Sequence, residues 1–336
     1  GLTAVDRLAR ASGARLAWVP RRAGDRGAVE AGCLPGLLPY GRAVASGAAR
    51  NELEAHWGLQ PGALPEQAGR DTDQILAAAA AGELSGLVVG GVDPYDLADP
   101  AAAERALDQI ASDGFLVSLE LFPSAVTERA DVVFPVAPAV EKAGTYLNWE
   151  GRARSFGEVL KTGALSDARV LDELADELDP DAEAPLGVAD PRRVRTELTA
   201  LPPTTGPAPT PPSYRRAPQP ETSAGQAVLA TWHHLLDLGS LQQGDDHLAG
   251  TARAPVARVS AATALAIMAT EGSRVTVSTE RGSITLPVAI TAMPDGVVWL
   301  PTNSPGSMVR RALGADAGAV VEIAPAADVA AATEEA

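Results

Sequence analysis

In the stretch EKAGTYLNWEGRARSF, Glu141–Phe156, two carboxylates, a carboxamide and a guanidinium stand within a dozen residues of one another, punctuated by Gly144 and Gly151. Asn148 and Arg152 offer directional hydrogen bonds, and the two glycines permit backbone turns that other residues resist. The stretch follows ADVVFP, an apolar β-branched run that reads as a buried strand. It therefore leaves the C-terminal end of a strand, the edge at which open α/β sheets bind ligands, and is composed to line a cleft.

Other candidates carry weaker patterns. Gly90 and Gly91 close the run LSGLVVGG and precede VDPYDLADP, a place where a nucleotide or a simple turn fits equally, and neither a G-x-G-x-x-G nor a Walker pattern occurs. RRAGDRG, Arg21–Gly27, reads either as an anion or partner-docking loop or as a solvated turn with Asp25 neutralising one charge. The histidines are His56, His233, His234 and His247. On a helix the adjacent pair His233 and His234 would diverge by roughly 100°, too far to share a metal, so surface or packing roles are expected. Cys33, the only cysteine, excludes an internal disulfide and a thiolate cluster, and is expected to be a buried, inert thiol.

The elements that position these residues follow from composition and period. The 336 residues are 46% hydrophobic, enough for two domains with real cores, and carry a net charge of -16, which opposes nucleic-acid binding. The longest apolar stretches, around Ile75–Val92 and Val259–Thr270, are interrupted by Glu83 or too short to span a bilayer, which takes about 20 residues. The chain opens at Gly1 directly into the helical periodicity of LTAVDRLARASG, and a missing N-terminal part is expected.

Four runs read as strands: ARLAWVP, LSGLVVGG, GFLVSLELF and ADVVFPVA. Between the second and third, DPAAAERALDQIASDG has Asp99 as N-cap, Pro100 at the first helical position and Gly114 as a stop, which makes a βαβ unit. A helix over SDARVLDELADEL completes an expected doubly wound, mainly parallel α/β domain over residues 1–185. A Pro-rich, extended connector is expected over 186–222, a small β-barrel domain with alternating strands and a preceding helix SAATALAIMAT over 223–325, and an acidic tail over 326–336.

On those residues the chain resembles a known family. TERADVVFPVAPAVEKAGTYLNWEGR, Thr127–Arg152, is similar to the signature of the molybdopterin oxidoreductase superfamily, and LVVGGVDP to the strand and turn that face its pterin dinucleotide. The segment beyond the connector resembles the superfamily's double-psi barrel. The wording of VPRRAGDRGAVEAGCLPGLLPYGR and LATWHHLLDLG is most similar to the large peripheral-arm subunits of bacterial NADH-quinone oxidoreductase, complex I, in their actinobacterial form.

The resemblance implies a pterin cleft formed by Gly91, Asp93, Thr127, Glu141, Gly144, Thr145, Asn148, Trp149, Glu150, Gly151 and Arg152. Two departures argue that this cleft is degenerate and against a molybdenum cofactor: Asp93 replaces the family's Asn, and Trp149 stands where a small residue is common. A carboxylate would oppose a dinucleotide's phosphates and an indole would fill space. The resemblance further implies iron-sulfur clusters in the missing N-terminal part, no catalytic or metal-binding residue in this chain, other peripheral-arm subunits of complex I as partners, and a peripheral position on the cytoplasmic face of the plasma membrane. It implies a non-catalytic, structural role; the alternatives are a molybdopterin enzyme fragment in which Gly91, Asp93, Asn148, Glu150 and Arg152 hold a pterin guanine dinucleotide, or a regulatory nucleotide-binding module. Trp149 is expected to be largely buried.

Overall fold

The computed structural model describes residues 2–20, 22–179, 186–202 and 220–326. The chain divides into two compact units, residues 1–92 with 109–216 and residues 93–108 with 217–336. The segment Asp93–Asp108 thus belongs with the C-terminal unit, although the strands on either side of it belong to the first.

In the first unit the elements are α1 (Leu2–Ser12), α2 (Asp25–Glu30), the short pair β1 (Leu37–Leu38) and β2 (Arg42–Ala43), α3 (Gly47–Trp57), α4 (Thr72–Ala80) and β3 (Gly86–Gly90). Helix α5 (Pro100–Asp113), most of which belongs to the second unit, leads into β4 (Phe115–Glu120), which is followed in the first unit by β5 (Val132–Pro135), β6 (Gly144–Leu147), β7 (Ala153–Phe156), α6 (Asp167–Leu178) and α7 (Pro191–Ala200). The helices start where side chains supply the missing acceptors. Ser46 caps α3, Asp71 and Gln74 form a reciprocal capping box on α4, and Asp99 Oδ1 accepts from Ala102 N at 3.2 Å on α5.

Strands β3, β4 and β5 pair in parallel and in sequential order, with Gly90 opposite Leu119 and Glu120 opposite Pro135. The expected βαβ unit forms. Among the described residues, however, this sheet has three strands and no reversal of order, so it lacks the switch point of a doubly wound sheet. The first expected strand does not form either: Ala14–Pro20 is irregular, with Leu16, Trp18 and Val19 exposed. β-propensity without a neighbouring strand leaves the ladder's backbone groups unpaired.

The expected connector is also not extended throughout. Residues 191–200 are helix α7, capped by Asp190, whose carboxylate accepts from Arg192 N, and started by Pro191 at the first turn. Residues 203–219, which include most of the prolines, and the acidic tail from 327 lie outside the described residues.

In the second unit the elements are β8 (Gln226–Trp232), α8 (Asp246–Ala249), β9 (Ala257–Val259), α9 (Ala261–Ala266), β10 (Arg274–Thr279), β11 (Gly282–Ile290), β12 (Val297–Pro301), β13 (Asn303–Ser304), β14 (Ser307–Met308), α10 (Val309–Leu313) and β15 (Val320–Pro325). Six of these strands close a mixed barrel in the order β10-β11-β9-β12-β8-β15. Alternation sends Val275, Val277, Ile284, Leu286, Val288, Val298 and Leu300 into one core. His233 and His234 are not on a helix. They follow β8 directly, where His234 packs its ring 5.7 Å from Trp299 and His233 bonds Asp237 at 2.5 Å.

Candidate functional site

The opening stretch folds as a β-hairpin. β6 and β7 pair antiparallel, with Gly144 opposite Phe156 and Leu147 opposite Ala153, and Asn148–Arg152 make the turn. Gly144 is required by this pairing, because a Cβ there would lie 2.5 Å from the Phe156 ring, which stacks on Tyr146 at 5.1 Å. Gly151 takes φ +80°, a conformation costly for other residues.

The turn closes on itself. Asn148 Oδ1 accepts from Glu150 N at 3.1 Å and from Arg152 N at 2.9 Å, while its amide donates to Glu150 Oε2 at 3.2 Å. Arg152 Nε meets the same Glu150 carboxylate at 3.2 Å. The Asn148 carboxamide and the Nε edge of Arg152 are thus committed to their own loop, while the Arg152 side chain stays 64% exposed. Trp149 corrects the expectation of burial: it is 48% exposed, and its carbonyl accepts from Arg26 Nη1 at 3.4 Å.

The other cleft candidates have partners of their own. Gly91, at φ +61°, is tied through its N–H to Leu119 O at 3.1 Å. Asp93 lies in the second unit and caps a 3-10 turn, Pro94–Asp96, with Oδ1 accepting from Tyr95 N at 2.9 Å. Thr127 exchanges hydrogen bonds with Ser124, accepting from its N–H at 2.7 Å and donating to its carbonyl at 2.9 Å. Glu141 accepts from Thr162 Oγ1 at 2.6 Å. Thr145 sits within β6. Of these residues Asp93 carries a carboxylate, which opposes a pyrophosphate, and the Asn148 carboxamide is engaged within its own turn.

What the hairpin does line is a cavity of about 350 Å³ in the first unit, bounded by Ala31, Tyr40, Thr145, Leu147, Val194 and Leu198. Tyr40 takes φ +57°, a strained value for an aromatic residue. The charged groups on the cavity are engaged: Glu30 with Arg26 at 2.5 Å, and Arg195 with Ser155. Its walls suit an apolar group. Arg26 in RRAGDRG therefore serves an ion pair, and Asp25 Oδ2 accepts from Arg22 N at 3.3 Å in the solvated-turn manner, while Arg21 lies outside the described residues. Cys33 is exposed, against expectation, because Gly32 forces a turn there with φ +87° and the thiol faces outward. Among the described residues no group of three His, Cys, Asp or Glu side chains could hold a metal ion, and no helix is long and apolar enough to cross a membrane.

Sequence reasoning missed Arg42. Its side chain is fully buried beside the cavity residue Tyr40, and it donates to Glu52 Oε2 at 2.9 Å, to Pro39 O at 3.1 Å and to Pro202 O. The signal was only an Arg following PYG, which no spacing rule singles out.

The family profile of the molydopterin dinucleotide binding domain matches residues 228–335, the region of the closed barrel. The G subunit of NADH-quinone oxidoreductase from Mycobacterium tuberculosis is 54% identical over 327 residues, covering 96% of this chain and 40% of that protein. The same enzyme's G subunit from Streptomyces coelicolor is 49% identical over 341 residues, covering 100% of this chain and 39% of that protein. Acetylene hydratase from Pelobacter acetylenicus, 18% identical, superposes with a TM-score of 0.48 over 76% of this chain and 42% of its own. Identity of about half along essentially the whole length decides the family: the chain belongs to the G subunits of NADH-quinone oxidoreductase and spans about two fifths of the length of these relatives.

Proposed function

We propose that this chain is a non-catalytic, structural portion of the peripheral arm of respiratory NADH:quinone oxidoreductase, supporting the iron-sulfur domains of the full-length protein and its neighbouring subunits. The observation that carries the non-catalytic reading is the self-closed Asn148–Arg152 turn, whose amide, carboxylate and guanidinium bond one another. On this reading the first unit is a parallel-sheet scaffold descended from a cofactor-binding fold, the barrel is double-psi in type, and the complex sits on the cytoplasmic face of the plasma membrane. Such a peripheral chain is released from membranes by high salt or mild chaotrope, and persistence in the bilayer after that treatment contradicts it.

The second reading, part of a molybdopterin-dependent oxidoreductase, is favoured by the match of residues 228–335 to a dinucleotide-binding family. That match counts against the expectation of an empty cleft, whereas the paired donors of the turn count for it. Metal and pterin analysis of the purified protein and of the assembled complex separates the two. The structural reading expects no molybdenum or tungsten and no pterin fluorescence; a stoichiometric signal lost on Asn148→Ala establishes the enzyme reading instead.

A further inference from the structure

The turn Asp93–Asp99, DPYDLAD, carries three carboxylates within seven residues, and two of them are held by arginines of the barrel unit to which the turn belongs. Arg310 Nη1 donates to the Asp96 carboxylate at 3.1 Å and to the Asp96 carbonyl, while its Nη2 meets Asp316 at 2.9 Å. Arg281 Nη1 meets Asp99 Oδ1 at 3.0 Å. The Arg311 guanidinium carbon lies over the ring of Tyr95, in the same turn, 4.0 Å from its centroid.

The course of Arg281 is built into the backbone. It runs across Gly314, where a Cβ would come within 2.3 Å of Arg281 Cδ, and Gly282 lets the β10–β11 turn approach the carbonyl of Ala312. Two glycines therefore bring this guanidinium beside α10, the helix that bears Arg310 and Arg311. Guanidinium forks match phosphate oxygens as well as they match carboxylates. An arginine face on a barrel that matches a dinucleotide-binding family is a natural anion site, and here its anions are supplied by the chain itself.

We propose that the Asp93–Asp99 turn is an internal counter-anion, whose Asp96 and Asp99 carboxylates occupy Arg310 and Arg281 and keep diphosphate-bearing ligands off this face of the barrel. Tethering within one unit gives the carboxylates a high effective concentration, and their charge repels a competing anion. The Asp99 carboxyl is held below its ordinary value, first by the Arg281 hydrogen bond and further by the Ala102 N–H and the charge of Arg105, so it stays charged at neutral pH. Asp96 also faces His233 Nε2 at 3.7 Å. The inference rests on the structural reading above.

The test is calorimetric titration of the whole chain with inorganic pyrophosphate at low salt. Wild type, D96N/D99N, and D96N/D99N carrying R281Q and R310Q are compared. Removing the two charges while keeping side-chain shape is expected to tighten pyrophosphate binding about tenfold or more, and the added Arg→Gln changes to abolish that gain. D99N alone, at a solvent-exposed pair, carries the same expectation at Arg281 in smaller measure and guards against misfolding of the double variant. Equal affinity of wild type and D96N/D99N, no binding by the charge-free variants, or a gain that survives loss of both arginines overturns the proposal. Pterin or molybdenum in the purified wild type sinks the structural reading itself, a distinct outcome.

Discussion

Trp149 and Arg42 divide the usual roles of their residue types between them. The indole, 48% exposed at a hairpin tip, buries about half of its surface, so Trp149→Ala is expected to lower unfolding stability by about 1–2 kcal/mol, less than a fully buried tryptophan would lose. Arg42 has no exposed side-chain surface, and its removal takes a donor from one carboxylate and two carbonyls. Arg42→Ala is expected to cost about 3 kcal/mol, because it empties a buried site and removes three hydrogen bonds of a charged group. Urea melts of the two variants check both, and the reverse ranking would show that the tip is packed and the arginine dispensable. Neither outcome was legible in the sequence: burial is a tertiary property, and a hydrophobicity-based reading assigns the tryptophan inside and the arginine outside.

Helix α3 shows how an element organises the loop after it. Its C-terminus is closed by Gly58 at φ +69°, and Glu54, buried on the helix, accepts from Leu64 N at 3.0 Å. Hydrogen bonds from the Leu64 and then the Gly62 N–H groups depress the Glu54 pKa, outweighing burial, which acts in the opposite direction. A depressed carboxylate contributes stability that is present above its unfolded pKa, about 4.3, and is lost as pH falls through the lower folded value. Glu54→Gln is therefore expected to flatten the decline of the urea midpoint as pH falls below about 4.3. An unchanged acid limb would remove Glu54 from the account. Elements with local signals were the legible ones: α5 and α6 announce themselves by cap and period, and the barrel strands by alternation and by the Gly282 and Gly296 turns. Ala14–Pro20 was misread because strand formation depends on a partner that the fold does not supply, and α7 because the prolines beyond it masked the Asp190–Pro191 start.

At the scale of the whole chain, the second unit borrows Asp93–Asp108 from the middle of the first, so covalent order and compact units do not coincide. Arg215 and Arg216 stand in the Pro-rich sequence between Pro202 and Pro220, which is poor in the apolar residues that would offset ordering entropy, and limited trypsin is expected to cut there first. The resulting pieces, residues 1–216 and 217–336, are then not expected to separate. The first fragment still carries Asp96 and Asp99, and the second carries Arg310 and Arg281, which grip them at 3.1 and 3.0 Å. Exposed ion pairs are individually weak and screened by salt, but Arg310 bridges two carboxylates and Arg311 covers Tyr95, so the contact is a network and not a single pair. Nicked protein should elute from a sizing column as one species in low salt, and nicked D96N/D99N should release the 217–336 fragment more readily. Prompt separation of the wild-type fragments would mean that the borrowed segment does not hold to the barrel, and first cuts confined to residues 1–185 would remove the basis for dividing the chain at this point.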